Sequence, residues 1–281
     1  MPRLHAGLIP TIPAPAKAVA RNVIWTWGRA TADARPLPNF LIVGAQKAGT
    51  TALFSYLRAH PQITGPPWKE VSYFDRHYSR GTRWYRGQFP LRRRPLVGEA
   101  SPSYVFHPLA PERVRALVPE ARLVVLVRNP VDRAYSHYQH EVALGREPLS
   151  FEAALANEEQ RLRGEEERML ADPSYFSREW WDHTYAARGR YAEQLERWLT
   201  VFPREQLLIV PTDDLAVEPA ATYRRVLDFL GAPPHELDSY PRVFERSYEP
   251  MRSETRARLV EYYADPNARL NALLGRDLNW K

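Results

Sequence analysis

The chain has 281 residues, enough for one α/β domain with additions, and its apolar content of 44% supplies a sizeable core. It contains no cysteine, which excludes disulfides, cysteine-based zinc sites and a cysteine nucleophile. A formal net charge of +6 favours anionic partners such as nucleotides, sulfated or phosphorylated sugars, nucleic acid or a membrane surface, although arginine-rich coding bias would give the same excess.

The first 37 residues are rich in Pro, Ala and Arg, and we predict an N-terminal extension over 1–37 and one main domain over 38–281. Prolines interrupt the apolar stretch of this extension, which is not typical of a signal peptide. No segment reaches the roughly 18 apolar residues that a transmembrane helix needs. Residues 18–29 are compatible with a short basic helix that packs on the domain or lies on a membrane surface.

A phosphate-binding pattern follows this extension. The apolar residues 40–43 indicate a buried strand, and residues 50–59 have the apolar spacing of a helix. The short loop between them contains two glycines and Lys47. A strand, a glycine loop and a helix N-terminus together bind phosphate, because backbone N–H groups and the helix dipole point at the anion. The predicted phosphate-binding residues are Lys47, Ala48, Gly49, Thr50 and Thr51.

The position of the lysine in this loop argues against an ATPase. In the Walker motif the lysine directly follows the last loop glycine and precedes a Ser or Thr that binds magnesium. Here Thr50 follows Gly49, and Lys47 comes two residues before the glycine. We therefore predict a phosphate-bearing donor other than a magnesium nucleotide.

Short strands and helices alternate through the rest of the chain. The predicted strands are 71–74, 96–99, 123–127 and 207–210, and the predicted helices are 111–117, 131–144, 191–202, 220–230, 253–263 and 266–274. Residues 145–180 are rich in Glu and Arg and predict a helical surface insertion whose acidic residues lie on a solvated face. The alternation predicts a single, P-loop-like, three-layer α/β domain with a central parallel sheet flanked by helices.

A second cation follows the predicted strand 123–127. In open α/β sheets the ligand lies beyond the carboxyl ends of the strands, so Arg128 is expected beside Lys47. Magnesium-dependent P-loop enzymes place a metal-binding Asp at the end of such a strand. An arginine there suits a second phosphate instead, and Ser136, two turns into the next helix, can donate to the same group. We predict no metal site.

Together these motifs resemble the sulfotransferases that use 3′-phosphoadenosine 5′-phosphosulfate, above all the heparan sulfate branch with its glucosaminyl N-sulfotransferase domains and bacterial relatives. Residues 46–51 are similar to the family's 5′-phosphosulfate loop, and residues 128–136 to its 3′-phosphate site. Further matches are 69–71 with Phe74, 189–191 with 197–199, and 206–210. The resemblance runs from about residue 39 to the C-terminus, and the two phosphate motifs in this order and spacing make it specific.

The resemblance implies direct in-line transfer of a sulfuryl group from 3′-phosphoadenosine 5′-phosphosulfate, the co-substrate, to a hydroxyl or amine, with no metal. It assigns to Glu70 the role of the base that takes the proton of the acceptor. Lys47 would stabilise the charge that grows on the departing nucleotide.

The chain departs from the family pattern at two places. Glu99 is a second candidate base, and the family usually follows it with a lysine near the reaction centre, where this chain has Ala100. Two histidines, His77 and His107, are less favoured bases. Animal heparan enzymes close over the nucleotide with a cysteine-flanked basic loop. This chain has no cysteine, and three arginines in the equivalent region either cover the 3′-phosphate or are surface charge: Arg242, Arg246 and Arg252.

Two other functions remain open from the sequence. A P-loop kinase or other NTPase would bind Mg-ATP, and a non-enzymatic anion-binding or nucleic-acid-binding module would suit the basic charge, although no recognised nucleic-acid motif is present. We expect the acceptor to be a glycan, glycoconjugate or small molecule rather than nucleic acid. The acceptor cleft is expected near 145–180 and near the arginines of 76–94, which are Arg83, Arg86, Arg92, Arg93 and Arg94. We expect a cytoplasmic, bacterial enzyme, and peripheral membrane contact stays open; the sequence does not predict the oligomeric state.

Overall fold

Five parallel strands form a single sheet at the centre of the molecule. The computed structural model describes residues 26–92, 94–241 and 248–280. The strands, in the spatial order β2-β3-β1-β4-β5, are β1 (Phe40–Gly44), β2 (Ile63–Thr64), β3 (Leu96–Ala100), β4 (Arg122–Val127) and β5 (Leu207–Pro211). Every pair of neighbours runs parallel. The interior strands β1 and β4 consist of almost continuous buried apolar residues, as expected for a sheet covered on both faces.

Helices flank this sheet, and the three-layer α/β architecture predicted from the sequence is confirmed. They are α1 (Thr50–Ala59), α2 (Thr82–Arg86), α3 (Ala110–Leu117), α4 (Pro130–Ala143), α5 (Phe151–Leu162), α6 (Glu165–Ala171), α7 (Arg178–Asp182), α8 (Tyr191–Leu199), α9 (Thr212–Val217), α10 (Pro219–Leu230), α11 (Ser253–Tyr262) and α12 (Ala264–Leu274). Residues 26–30 are also helical. No helix within the described ranges is both long and apolar enough to span a bilayer.

Local sequence explains where α4 and α10 begin and end. Asn129 caps α4, because its side chain accepts a hydrogen bond from the N–H of Val131 at 3.0 Å, and Pro130 occupies the first turn, where no N–H partner is needed. Gly231 ends α10 with φ +69°, a left-handed conformation that favours glycine. The start of α4 is therefore fixed directly after β4, at the carboxyl edge of the sheet.

Two predictions about the chain outside the sheet are wrong. Residues 71–74 form a buried loop rather than a strand. In the predicted insertion 145–180, which contains α5, α6 and α7, three glutamates are buried instead of solvated: Glu147, Glu158 and Glu165. The carboxylate of Glu158 accepts backbone hydrogen bonds from Ala186 and Ala187 at 2.7 and 2.8 Å, so it supports the chain that leads into α8.

The strand order opens a crevice between β1 and β4. The chain leaves β1 towards β2 on one side of the sheet and leaves β4 towards β5 on the other. Loops that diverge in this way leave a gap at the carboxyl ends of the two strands, where α/β proteins bind ligands. The backbone at the end of β1 is tightly packed there, because a Cβ on Gly44 would lie 2.3 Å from the side chain of Val105.

Candidate active site

The loop 45–49, which joins β1 to α1, is held by the start of α9, directly after β5. The hydroxyl of Thr212, directly after β5, donates to the carbonyl of Ala48 at 2.8 Å. Lys47 and Gly49 both have left-handed backbones, with φ of +69° and +89°. A left-handed backbone is unfavourable for a residue with a Cβ atom, so any replacement of Gly49 would strain the loop. The loop therefore has a defined curvature and an external anchor.

The N-terminus of α1 offers its backbone donors to a ligand. No side chain caps this helix end, where Gly49 occupies the N-cap position. The first N–H groups of a helix lack intrahelical partners and carry the positive end of the helix dipole, so they suit an anion. The ammonium group of Lys69 lies 3.2 Å from Oγ1 of Thr50 and adds positive charge at the same place.

Arg128 reaches the same loop from β4. Its Nη1 donates to the backbone carbonyl of Lys47 at 3.2 Å, so the structure places the guanidinium against the predicted phosphate-binding loop. Tyr191, at the start of α8, donates its hydroxyl proton to the carbonyl of Arg128 at 2.9 Å. This contact gives a physical role to one residue of the matched segment 189–191, for which the sequence indicated none.

A cavity of about 170 Å³ extends from Arg128 towards the C-terminal helices. Its walls come from the start of α4 and from the chain around α11: Arg128, Asp132, Tyr135, Tyr248, Pro250, Met251 and Arg256. Arg256 forms a salt bridge with Asp132, and the hydroxyl of Tyr135 donates to the carbonyl of Glu249 at 2.7 Å. Ser136 is buried on α4 next to Tyr135 but does not line the cavity.

One C-terminal arginine contributes to this cavity. Arg256, which sequence reasoning missed, lines the cavity, whereas Arg252 is exposed and does not. Arg242 and Arg246 lie outside the described residues, as do Arg93 and the first 25 residues of the chain.

Glu70 lies near the N-terminus of α1. Its Oε1 is 3.3 Å from the ammonium group of Lys69, which in turn contacts Thr50 at the start of α1. The side chain of Glu70 is 34% exposed, so solvent and an acceptor can approach it. The loop, the helix N-terminus and the predicted base therefore share one region of the surface.

Asp75 is a buried acid near Glu70 that the sequence did not single out. Its Oδ1 accepts the N–H of Arg76 at 2.7 Å, while its buried Oδ2 has no hydrogen-bond partner among the described residues. Burial first, and then the nearby charge of Glu70, raise the pKa of Asp75 to about 8. In the sequence, the only signal for Asp75 is a single carboxyl directly after residues 71–74. The proximity of Asp75 to Glu70 arises only when the loop folds.

The other candidate bases have different environments. Glu99 is completely buried and accepts hydrogen bonds from three hydroxyl groups. Burial first, and then the charge of neighbouring arginines, lower the pKa of His107 to about 3 and that of His77 to about 4. Such imidazoles are neutral and weakly basic at neutral pH.

Most of the arginines expected at the acceptor cleft have structural partners. Arg83 pairs with Asp33 at 2.6 Å, Arg86 donates to the carbonyl of Arg35 at 3.0 Å, and Arg94 donates to that of Ile63 at 2.8 Å. These contacts hold the segment before β1 and the turn before β2. The structure therefore does not bring these three side chains together in one cleft.

Arg76 has a different setting. Its guanidinium lies 4.8 Å from the ring centre of Phe176 and 5.7 Å from that of Trp181, and within the described part of the chain it forms no salt bridge. Phe176 is 37% exposed. Stacking orients the planar guanidinium and leaves its N–H edge available for a carboxylate or sulfate. Arg76, Phe176 and Trp181 form an aromatic patch. Arg76 directly follows Asp75 in the chain.

Across residues 26–92, 94–241 and 248–280, no group of three or more His, Asp or Glu side chains has the arrangement of a metal site. The site contains cations, backbone donors and the two neighbouring carboxyl groups of Glu70 and Asp75.

Comparisons with known proteins agree on one family. The sequence matches the family model of the sulfotransferase domain over residues 37–267. It is 34% identical over 278 residues to the bifunctional heparan sulfate N-deacetylase/N-sulfotransferase 3 of Mus musculus, a match that covers 85% of this chain and 30% of that protein. It is 31% identical to the mouse heparan sulfate glucosamine 3-O-sulfotransferase 3B1, covering 89% of this chain and 66% of that protein. The chain thus spans about a third of the length of the first relative.

A solved structure supports the same relationship along nearly its whole length. The crystal structure of a sulfotransferase from Alicyclobacillus acidocaldarius superimposes with a TM-score of 0.70 at 36% sequence identity, and the match covers 86% of this chain and 98% of that one.

Proposed function

This chain belongs to the sulfotransferase domain family, in the branch that resembles the heparan sulfate enzymes, and we propose that it transfers a sulfuryl group from 3′-phosphoadenosine 5′-phosphosulfate to a hydroxyl or amine of a carbohydrate acceptor. The observation that carries the proposal is the contact between the Arg128 guanidinium and the backbone carbonyl of Lys47, which brings a cation from the end of β4 to the loop before an uncapped helix N-terminus. Such a site suits a ligand with two separate phosphate groups.

The residues of the site fit the donor. Lys47, Ala48, Gly49, Thr50 and Thr51 would hold its 5′-phosphosulfate through backbone N–H groups, hydroxyls and the ammonium group. Arg128 and Ser136 would hold the 3′-phosphate, and the adjoining cavity with Tyr135 and Arg256 gives the nucleoside room. When bound, the donor supplies an activated sulfuryl group with a good leaving group.

The transfer requires one proton acceptor and stabilisation of one leaving group. The acceptor oxygen or nitrogen forms a bond to sulfur, while the bond between sulfur and the 5′-phosphate oxygen breaks. Glu70 takes the proton of the acceptor. Lys47 and the loop N–H groups stabilise the negative charge that develops on the departing bisphosphate, and Lys69 lies where it can assist. We assign no step to a metal ion.

The acceptor we propose is a glycan with anionic groups. The aromatic patch is near Asp75 and Glu70, and its stacked guanidinium suits a carboxylate or sulfate on a sugar next to the reacting one. The named activities of the mouse relatives are consistent with a sugar acceptor.

A P-loop kinase is the alternative, and the site argues against it. The end of β4, where such enzymes hold magnesium through an Asp, carries Arg128, whose guanidinium contacts the loop.

Thermal stabilisation by adenosine 3′,5′-bisphosphate, compared with Mg-ATP at the same concentration, tests the donor class. A ligand at 100 times its Kd should stabilise the protein by about 2.7 kcal/mol. We expect a shift with the bisphosphate that EDTA does not change, and a shift with Mg-ATP alone would contradict the proposal. Transfer of ³⁵S from labelled donor to de-N-sulfated heparin, which offers both amines and hydroxyls, then tests the reaction.

A further inference from the structure

The buried carboxylate of Glu99 lies at the carboxyl end of β3 and is connected to the backbone that follows Glu70. Its Oε1 accepts hydrogen bonds from the hydroxyls of Tyr85 and Tyr104, both at 2.8 Å, and its Oε2 accepts one from Ser101 at 2.6 Å. Glu99 has no exposed surface. A buried carboxylate is stabilised only when such donors surround it, so the arrangement is a complete polar network.

Two of these three hydroxyls also accept hydrogen bonds from the chain beyond Glu70. The N–H of Ser72 donates to Oγ of Ser101 at 2.9 Å, and the N–H of Tyr73 donates to the hydroxyl of Tyr104 at 2.7 Å. Both N–H groups belong to the buried loop 71–74, which pairs with no strand of the sheet. Buried N–H groups need a partner, and here side-chain hydroxyls take the place of a neighbouring strand.

We propose that Glu99 is a positioning residue, which fixes the segment carrying Glu70 through this relay of two hydroxyls. The inference rests on the proposed role of Glu70 as the base. β3 pairs with β1 and β2 and is a rigid part of the sheet. The relay connects that rigid strand to two consecutive residues that begin two positions after Glu70. Because Glu99 is buried and its oxygens are occupied, it supports the base and does not itself take the proton of the acceptor.

The third hydroxyl provides a matched control. Tyr85 donates to the same Oε1 at the same 2.8 Å, but no backbone N–H of the loop donates to it. Its ring stacks on Tyr73 with centroids 4.4 Å apart, and a phenylalanine would keep that contact. Tyr85→Phe therefore removes an equal bond to Glu99 without interrupting the relay.

The relay can be tested by comparing Tyr104→Phe and Ser101→Ala with Tyr85→Phe in the full chain. We expect faster amide hydrogen exchange at Tyr73 in Tyr104→Phe and at Ser72 in Ser101→Ala, with no change at either in Tyr85→Phe. In the ³⁵S assay, kcat should fall by about 10- to 100-fold in the two relay variants, because a displacement of about 1 Å has that effect. The Kd for adenosine 3′,5′-bisphosphate should stay within twofold of the wild-type value. Equal exchange and equal turnover in Tyr104→Phe and Tyr85→Phe would overturn the proposal.

Glu99→Gln separates positioning from proton transfer. The amide keeps an oxygen for the two tyrosines and offers an N–H to Ser101, so both relay bonds survive, and we expect most of the turnover to remain. Loss of turnover with unchanged exchange at Ser72 and Tyr73 would mean that Glu99 acts on the proton, and would overturn the proposal. If the wild-type protein transfers no sulfuryl group, the proposed function has failed, but the exchange comparison still decides whether the relay exists.

Discussion

Among single residues, Glu70 has the most direct test. Glu70→Gln keeps the size of the side chain and its contact with Lys69 but removes the basic carboxylate. We expect kcat to fall by about 10²- to 10⁴-fold, the range for general base catalysis, with unchanged binding of adenosine 3′,5′-bisphosphate. The ³⁵S transfer rate and calorimetric titration measure the two quantities. Glu112→Gln, an exposed glutamate on α3, is the control, and full activity of Glu70→Gln would remove Glu70 as the base.

Lys47 should affect both binding and turnover, because its charge neutralises the donor before the transfer and the leaving group during it. We expect Lys47→Ala to weaken the binding of the bisphosphate and to lower kcat, each by about 10- to 100-fold. Arg58→Ala, which removes an exposed cation from the last turn of α1, should leave both quantities unchanged. Normal donor affinity together with a normal rate in Lys47→Ala would contradict the assignment.

Asp75 makes stability depend on pH. Its pKa is about 8 in the folded protein against an ordinary value of 3.8, so between these pH values the folded state retains a proton that the unfolded state has lost. Folding stability therefore falls as the pH rises from about 4 to about 8, by at most about 1.4 kcal/mol for each unit. Asp75→Asn lacks this titration. In urea denaturation at pH 5, 6.5 and 8, we expect its stability relative to wild type to increase with pH, and a constant difference would contradict the argument.

At the scale of secondary-structure elements, the loop 45–49 depends on its anchor in α9. Thr212→Val keeps the shape of the side chain but removes the hydroxyl that donates to Ala48. We expect a loss of about 1 kcal/mol of stability and a similar loss in bisphosphate binding, about fivefold in Kd. Thr200→Val is the control, because it removes a bond of the same 2.8 Å, to Arg197, at the end of α8. An unchanged Kd in Thr212→Val would mean that the loop does not need this anchor.

The sequence predicts best the elements whose signal is local. The apolar runs of β1, β4 and β5 and the spacing of α1 are strong enough to give those elements within a residue or two. β2, with two residues, and α2, with five, are too short for a periodic pattern. Residues 71–74 look like a strand because they are mostly apolar, yet hydroxyls of Ser101 and Tyr104 accept the N–H groups of Ser72 and Tyr73. This replacement of a neighbouring strand by side-chain hydroxyls depends on contacts between residues that are far apart in the chain.

The residues of the site also differ in whether the sequence or only the folded chain reveals them. The expectation that Lys47 and Arg128 would be neighbours follows from a rule about the ends of parallel strands, and the contact is present. The assignment of Glu70 depended on resemblance alone. The contact between Lys69 and Thr50, the anchor at Thr212 and the burial of Asp75 arise only from the folded chain.

At the scale of the whole molecule, the net charge of +6 is not spread evenly over the surface available to a ligand. Several arginines are occupied within the protein: Arg83 by Asp33, Arg113 by the carbonyls of Phe74 and Pro173, and Arg188 by those of Trp180 and Trp181. Arg76 is exposed and stacked near the proposed base. Arg76 therefore places one exposed positive charge at the aromatic patch, where an anionic acceptor can meet it.

Salt and acceptor charge should act together at this patch. For a sulfated acceptor such as partly de-N-sulfated heparin, we expect kcat/KM to fall as the salt concentration rises from 50 to 300 mM, because salt screens the attraction between exposed charges, most strongly beyond the Debye length of about 10 Å at 0.1 M. With a neutral oligosaccharide the dependence of kcat/KM on salt should be weaker.

Arg76→Gln should raise KM for the sulfated acceptor by at most about fivefold, the range of one exposed ion pair, and should reduce the salt dependence. Arg83→Gln, which removes an exposed arginine already paired with Asp33, should change neither. If the two variants lose affinity equally, or if Arg76→Gln weakens both acceptors alike, the attraction belongs to the overall charge of the protein and the patch has no specific role.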